Sequence, residues 1–330
     1  MSIHVRLPAL CVLVFVGLLL SAARVEALKF EPVDSKLLPQ GVKSALWVRD
    51  CGKQGFKDQN CPEAETMFFK GDGARLAGEL TAKKYDEIWL VSGGGNLDEG
   101  VGVGEVFRRF QATVRVPRGY RCVSSCTVAF LGGVFRYLDE GSTYEVHAAS
   151  RFLNEEVDGQ SMKALLEDPD TALREWAELL LLGADMRSGR FKGARESAQI
   201  LLLHFQKALH PLGMLPPGRE DANRDRFRSL LRTQPPFVYP QSPQLAQDVA
   251  RIKREGVPAA QDILMRIERD SVQLAIDELR AALPSLGPRA EPALKMLEAM
   301  YSSRITSTAV LSRQTMVQMG YVTELFNPNR

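Results

Sequence analysis

Apolar residues change their spacing about halfway along this chain, and the change divides it into two kinds of structure. Between 45 and 150 they come in short unbroken runs: ALWVR (45–49), EIWLV (87–91), ATVRV (112–116) and TYEVH (143–147). Runs of that length, rich in β-branched and aromatic residues and bounded by turn formers, predict buried strands. TMFFK (66–70) reads as a further strand, and 136–138 with 143–147 as a strand pair or one broken strand. Helical spacing fills the gaps at 74–84 (ARLAGELTAKK), from Gly104 to Phe110 and from Ser125 to Leu131. The stretch 28–62 reads as irregular apart from 45–49. Strands alternating with helices predict parallel pairing in an α/β layer structure.

From about Met162 the period is helical throughout, in segments such as ARESAQILLLHFQKAL and AAQDILMRIERDSVQLAIDELRAAL. PLGMLPPG, TQPPFVYPQSP and LPSLGP punctuate them as loops. The segments share no fixed repeat, so a solenoid is not supported. The tail LSRQTMVQMGYVTELF carries a Ser312 cap, a short helix, a Gly320 stop and a strand-like finish. The expected organisation is a leader at 1–27, an α/β core at 28–150, a largely helical C-terminal extension at 151–300 and a tail at 301–330 that rejoins the core.

The leader changes the compartment. Leu7 to Leu20 form an apolar run of fourteen residues, and Val25-Glu26-Ala27 offers small residues at the −3 and −1 positions of a cleavage site. A span needs roughly twenty apolar residues, so a cleaved signal peptide is favoured over an uncleaved anchor. Cys11 lies inside the run, a poor position for a lipoprotein cysteine. A periplasmic or secreted protein is expected, with no membrane association after cleavage. The net charge of +2, without a basic stripe interleaved by aromatics, gives no case for nucleic acid.

Export also makes disulfides permissible. The mature chain keeps Cys51, Cys61, Cys122 and Cys126. Spacing suggests Cys51 with Cys61 and Cys122 with Cys126, although three pairings remain open. The cysteines and histidines lack the spacing of a zinc site, so no metal is expected.

Candidate chemistry is concentrated between Val91 and Ser150. Gly93, Gly94 and Gly95 follow a buried strand, where glycine allows consecutive amides to point into one cavity. No Gly-Lys-Ser/Thr follows, which excludes a P-loop, and Gly100, Gly102 and Gly104 are misplaced for a dinucleotide fingerprint. Ser124 lies at a strand-to-helix corner, where helix-terminal donors suit both a nucleophile and its oxyanion hole. The bland alternative is an N-cap serine, a role that Ser125 or Thr127 could fill instead. His147 ends a strand and is the histidine nearest these features, a candidate base. His204 and His210 lie among Leu and Phe on the extension, where packing explains them.

In combination these residues resemble the Clp peptidase/crotonase superfamily, and more narrowly the exported Clp-protease-like proteins. Clp-type peptidases end a strand in Asn-Ser-Pro-Gly-Gly, followed by an apolar residue and a helix-opening glycine. Here Ser92-Gly93-Gly94-Gly95-Asn96-Leu97 and Gly100 stand in those places, with Gly93 replacing proline. The exported relatives carry a Cys-Ala-Ser-Ala-Cys corner, close to Cys122-Val123-Ser124-Ser125-Cys126, with a glycine nine residues after the serine, here Gly133. The family histidine follows at a distance similar to His147, twenty-three residues after Ser124.

The resemblance implies stacked ββα units, with Ser124 as nucleophile, His147 as general base, and the Gly94 and Ser125 amides as oxyanion donors. It implies a peptide or protein substrate and no cofactor, and it leaves a homo-oligomer open. Ser312 to Val322 resembles the family's closing helix. The family's triad aspartate should precede that helix, but Arg304-Ile305-Thr306-Ser307-Thr308 contains no carboxylate. The third triad member is therefore unassigned. The leading expectation is an exported serine hydrolase, most simply a peptidase. The alternative is a catalytically degenerate Clp-like module that binds peptide or protein. A crotonase-like acyl-thioester enzyme is disfavoured by the exported location.

Overall fold

The computed structural model describes residues 28–50, 68–148, 159–182, 194–210, 239–302 and 308–323. Residues 1–27, Cys51, Cys61 and positions 66–67 lie outside the described residues; of the strand expected at 66–70, the described part holds only an isolated bridge from Phe68 to Gly95.

A five-stranded sheet has the order β1-β2-β3-β4-β6, formed by Leu28–Pro32, Ala45–Asp50, Glu87–Val91, Thr113–Val116 and Phe135–Leu138. β2, β3, β4 and β6 run parallel, and β1 pairs antiparallel at the edge. β3 (EIWLV) is buried at every position, as a central parallel strand covered on both faces must be. A second, three-stranded sheet has the order β5-β7-β8, from Arg121–Val123, Thr143–Val146 and Ala309–Leu311.

A repeated pattern links the two sheets. β4 enters the large sheet and the next strand, β5, enters the small one; β6 and β7 do the same. 135–138 and 143–147 therefore do not pair with each other, contrary to the sequence expectation. Thr143 is instead matched with Arg121 and Phe135 with Thr113. β1 is a second correction. In LKFEP only Leu28 is fully buried, so the segment lacks the continuous apolar run that betrays the central strands.

Helices α1 (Asp72–Ala82), α2 (Leu97–Arg109) and α3 (Ser125–Phe130) belong to this α/β part. α2 starts at Leu97, with Asn96 accepting from the Glu99 amide as its N-cap, well before Gly104. Its three glycines made the first turns look like loop. The packing explains two of them. A Cβ on Gly100 would sit 2.6 Å from the Ser125 carbonyl oxygen, and one on Gly104 3.3 Å from that of Ala129. Gly100 and Gly104 thus form one face, four residues apart, on which α3 lies almost backbone to backbone. Gly132, just past α3, would put a Cβ 2.0 Å from the Gly104 carbonyl oxygen.

The further α-helices among the described residues are α4 (Gly159–Glu167), α5 (Pro169–Leu182), α6 (Ala194–Ala208), α7 (Pro243–Glu255), α8 (Val257–Ala281), α9 (Leu283–Leu286), α10 (Ala290–Ser302) and α11 (Arg313–Gln318). α6, α10 and the second half of α8 share the main core with the sheets. α4, α5, α7 and the first half of α8 bury a separate apolar cluster. α8 therefore runs through both. The tail returns to the α/β part, with β8 antiparallel to β7. Ser312 caps α11 by accepting from the Thr315 amide, and Gly320 follows with φ 78°. The strand-like finish expected after Gly320 is absent from the described residues, where 321–323 form no strand.

Arg136 locks these parts together. Its buried guanidinium donates to the carbonyls of Gly133, Ala208 and Tyr321, and its amide to Thr323 Oγ1. Among the described residues no carboxylate is bonded to it, and burial with the nearby Arg108 pulls the guanidinium down to about 9. Among the described residues no helix is long and apolar enough to cross a membrane.

Candidate functional site

The carboxyl ends of the parallel strands collect the residues singled out by sequence, the edge at which open α/β sheets bind ligands. β3 runs on through Ser92, which bridges to Cys122 of β5. The glycine turn therefore leaves the large sheet directly beside the Ser124 corner. Ser92 N donates to the Arg121 carbonyl and Val123 N to the Ser92 carbonyl. The turn is ordered from its other side as well: Phe68 N donates to Gly94 O at 2.7 Å, and Asn96 N to Phe68 O at 3.0 Å.

Ser124 has φ 57° and ψ −127°, a backbone conformation closed to most L-residues and costing about 1–3 kcal/mol. The corner is over-determined. Its amide donates to the Glu145 carbonyl of β7, while its carbonyl accepts from the Thr127 amide and hydroxyl. The Cys122–Cys126 disulfide closes over the same turn. Tyr144 fixes α3 from below, donating its hydroxyl to Thr127 O at 2.9 Å.

The Ser124 hydroxyl makes no capping bond, so the N-cap reading fails for the side chain. The hydroxyl is half-buried and turned toward Gly94, where an added Cβ would lie 2.4 Å from Ser124 Cβ and 3.0 Å from Ser124 Oγ. Only glycine fits there, with φ 111° as a second reason. Ser125 is the first residue of α3, so its amide has no acceptor within the helix and projects at the corner.

His147 follows β7. The register places Val123 opposite Glu145, which brings His147 to the same end of the small sheet as Ser124. His147 Nδ1 lies 2.8 Å from the Ala148 carbonyl oxygen. A carbonyl only accepts, so Nδ1 carries a hydrogen, and in the neutral ring this leaves the lone pair on Nε2. That is the tautomer a general base needs. No hydrogen bond joins Ser124 Oγ to His147 among the described residues. Among the described residues no carboxylate is hydrogen-bonded to His147 either. Glu145, two residues away, is held below the usual carboxylate range chiefly by Arg121, and it also accepts from Thr143 and Thr308.

The Gly94 amide, expected to face the serine, donates to Ser92 Oγ at 3.0 Å and is engaged within the turn. Sequence reasoning missed two residues here. Asp50 ends β2, and its Oδ2 accepts from the Gly93 amide at 2.6 Å. Ser92 stands between that carboxyl and Gly94. Asp50 is only 7% exposed, and its Oδ1 has no hydrogen-bond partner. Burial pushes the acid up to about 7 against the opposing pull of Ser92 and the Gly93 amide. The available signal was a carboxylate ending an apolar strand.

Among the described residues no cluster of three or more His, Cys, Asp or Glu side chains is arranged to hold a metal ion. Set against known proteins, the chain matches no family model, no curated protein and no solved structure.

Proposed function

We propose that the protein is an exported serine hydrolase of Clp/crotonase-like architecture, most simply a peptidase, with Ser124 as nucleophile. The observation that carries this reading is the Ser124 corner. A serine is held in a strained strand-to-helix turn, its hydroxyl unused for capping and facing a glycine turn. Nucleophilic serines occupy such corners because the turn exposes Oγ beside helix-terminal amides. The strand pairs shared between two sheets support the ββα reading, and the disulfide supports an oxidising compartment.

In the proposed reaction Ser124 Oγ attacks the substrate carbonyl carbon while His147 Nε2 takes its proton. The carbonyl oxygen becomes an oxyanion received by the Ser125 amide and by Gly94 once it leaves Ser92. Collapse expels the amine, which takes the proton from His147, and an acyl-Ser124 ester remains. Water then attacks the ester with His147 again as base, and Ser124 leaves reprotonated. The Ala148 carbonyl replaces the usual carboxylate as the group that orients the imidazole. A neutral carbonyl stabilises an imidazolium less than a carboxylate does. Turnover should then fall short of a full triad by up to about 10⁴-fold.

The test is labelling by a fluorophosphonate, which needs an activated serine but no knowledge of the substrate. Labelling that is lost in both Ser124→Ala and His147→Ala supports the hydrolase. Absence of labelling in the folded, oxidised protein would remove it in favour of a peptide- or protein-binding module of the same fold.

A further inference from the structure

Resting on the hydrolase reading, we propose that Asp50 is a positioning residue whose protonation state decides whether the Gly94 amide stays on Ser92 Oγ or becomes available to the Ser124 site. The contacts form one line from the carboxyl group to the serine. Asp50 Oδ2 accepts from Gly93 N at 2.6 Å, Ser92 Oγ accepts from Gly94 N at 3.0 Å, and the place of a Gly94 Cβ is filled by Ser124. Any change in how Asp50 and Ser92 hold Gly93 and Gly94 is therefore felt at Ser124 without an intervening side chain.

The two protonation states hold the turn differently. As a carboxylate, Asp50 accepts from the Gly93 amide through Oδ2 and attracts the Ser92 hydroxyl hydrogen. Ser92 Oγ is then a stronger acceptor for the Gly94 amide, because charge-assisted hydrogen bonds are roughly twice as strong as neutral ones. As a neutral acid, Asp50 loses the charge that attracts the Ser92 hydroxyl and accepts less strongly from the Gly93 amide. The Ser92 hydroxyl hydrogen is then left to the Gly94 carbonyl, a long contact of 3.4 Å. Both amide anchors weaken together.

Electrostatics points the same way. A buried anion beside the turn repels an oxyanion forming on it, and a neutral acid does not. Burial holds the acid neutral up to about 7. Asp72 at the start of α1 adds a negative charge that acts in the same direction and is itself paired with Arg75. Glu99 of α2 is bonded to the Gly73 amide, and Arg49 of β2 is paired with Glu31 of β1. No cation among these is bonded to Asp50.

The experiment follows the Asp50 carboxyl carbon and the Gly93 and Gly94 amides by NMR from pH 5 to 9, with fluorophosphonate labelling rates over the same range. In the wild type both amides should titrate together with the Asp50 carboxyl. The labelling rate should fall across that transition by up to roughly a hundredfold, the order seen on losing one oxyanion donor. Asp50→Asn should abolish the amide titration and that limb of the rate profile. Ser92→Ala should leave Asp50 titrating while the limb disappears, which separates the relay from general destabilisation. Amides indifferent to Asp50, or a limb unchanged in either variant, would overturn the proposal. The NMR arm needs no catalysis. Failure to label therefore counts against the hydrolase alone, while the amide titration still decides the role of Asp50.

Discussion

His204 offers a test of how the extension is fastened to the α/β part. It lies on α6, fully enclosed, with Nε2 2.7 Å from the Val128 carbonyl of α3. The carbonyl requires a hydrogen on Nε2, which leaves Nδ1 to gain or lose the second proton. Burial, reinforced by the charges of Arg108, Lys207 and Arg136 against the Val128 bond, pushes the imidazole down to about 4. An unfolded histidine titrates near 6.5. The unfolded chain therefore takes up the proton first as pH falls. The His204 contribution is intact above pH ~6.5 and is lost as pH drops through about 4. At roughly 1.4 kcal/mol per pH unit the loss approaches about 3 kcal/mol.

Asp50 acts in the opposite sense over the same window. Its folded carboxyl titrates at about 7 against roughly 4 unfolded, so its contribution is full below pH ~4 and lost as pH rises through 7. The two trends offset one another, so the pH curve of the whole protein hides both. The difference between wild type and His204→Gln isolates one. Glutamine keeps an N–H donor for Val128 and carries no titratable charge. Urea unfolding followed by circular dichroism should show the wild type losing about 3 kcal/mol relative to His204→Gln from pH 7 to pH 4 at constant m. Parallel pH curves for the two proteins would refute the argument.

Three further outcomes are expected. Gly94→Ala places a Cβ against Ser124 at a positive-φ site, and it should abolish fluorophosphonate labelling while costing about 1–3 kcal/mol in unfolding free energy; a labelling rate within twofold of wild type would contradict the contact. Reduction of Cys122–Cys126 should slow labelling and lower stability by about 2 kcal/mol, the loop entropy of a short ring; an unchanged rate under reducing conditions would show that the disulfide does not hold the corner. Arg136→Leu strands three buried carbonyls at Gly133, Ala208 and Tyr321 and should cost about 3 kcal/mol or more. Hydrogen exchange should then rise in both α6 and the tail, and a rise in only one would contradict a shared clamp.

What could be read in advance was what one-dimensional patterns carry. EIWLV declared β3 through an unbroken apolar run, and Ser312 with Gly320 bracketed α11 by cap chemistry. The strand-to-helix corner at Ser124 was legible because apolar periodicity changes there. Features that depend on a distant partner were not. α2 looked like loop through Gly100, Gly102 and Gly104 because helix propensity penalises glycine, whereas tertiary contact with α3 requires it at two of those sites. β6 and β7 looked like a pair because a short polar turn joins them, but their pairing partners are β4 and β5. Asp50 looked like the polar end of a strand. Its burial, and its bond to an amide forty-three positions away, exist only once β2 lies beside β3.

The central claim is that Ser124 is an activated nucleophile. The most direct measurement is tandem mass spectrometry of the oxidised protein after fluorophosphonate treatment, with the adduct localised to a single residue. The expected result is one adduct on Ser124, absent when His147 is replaced by alanine. An adduct on another residue, or one on Ser124 that forms equally fast without His147, would contradict it.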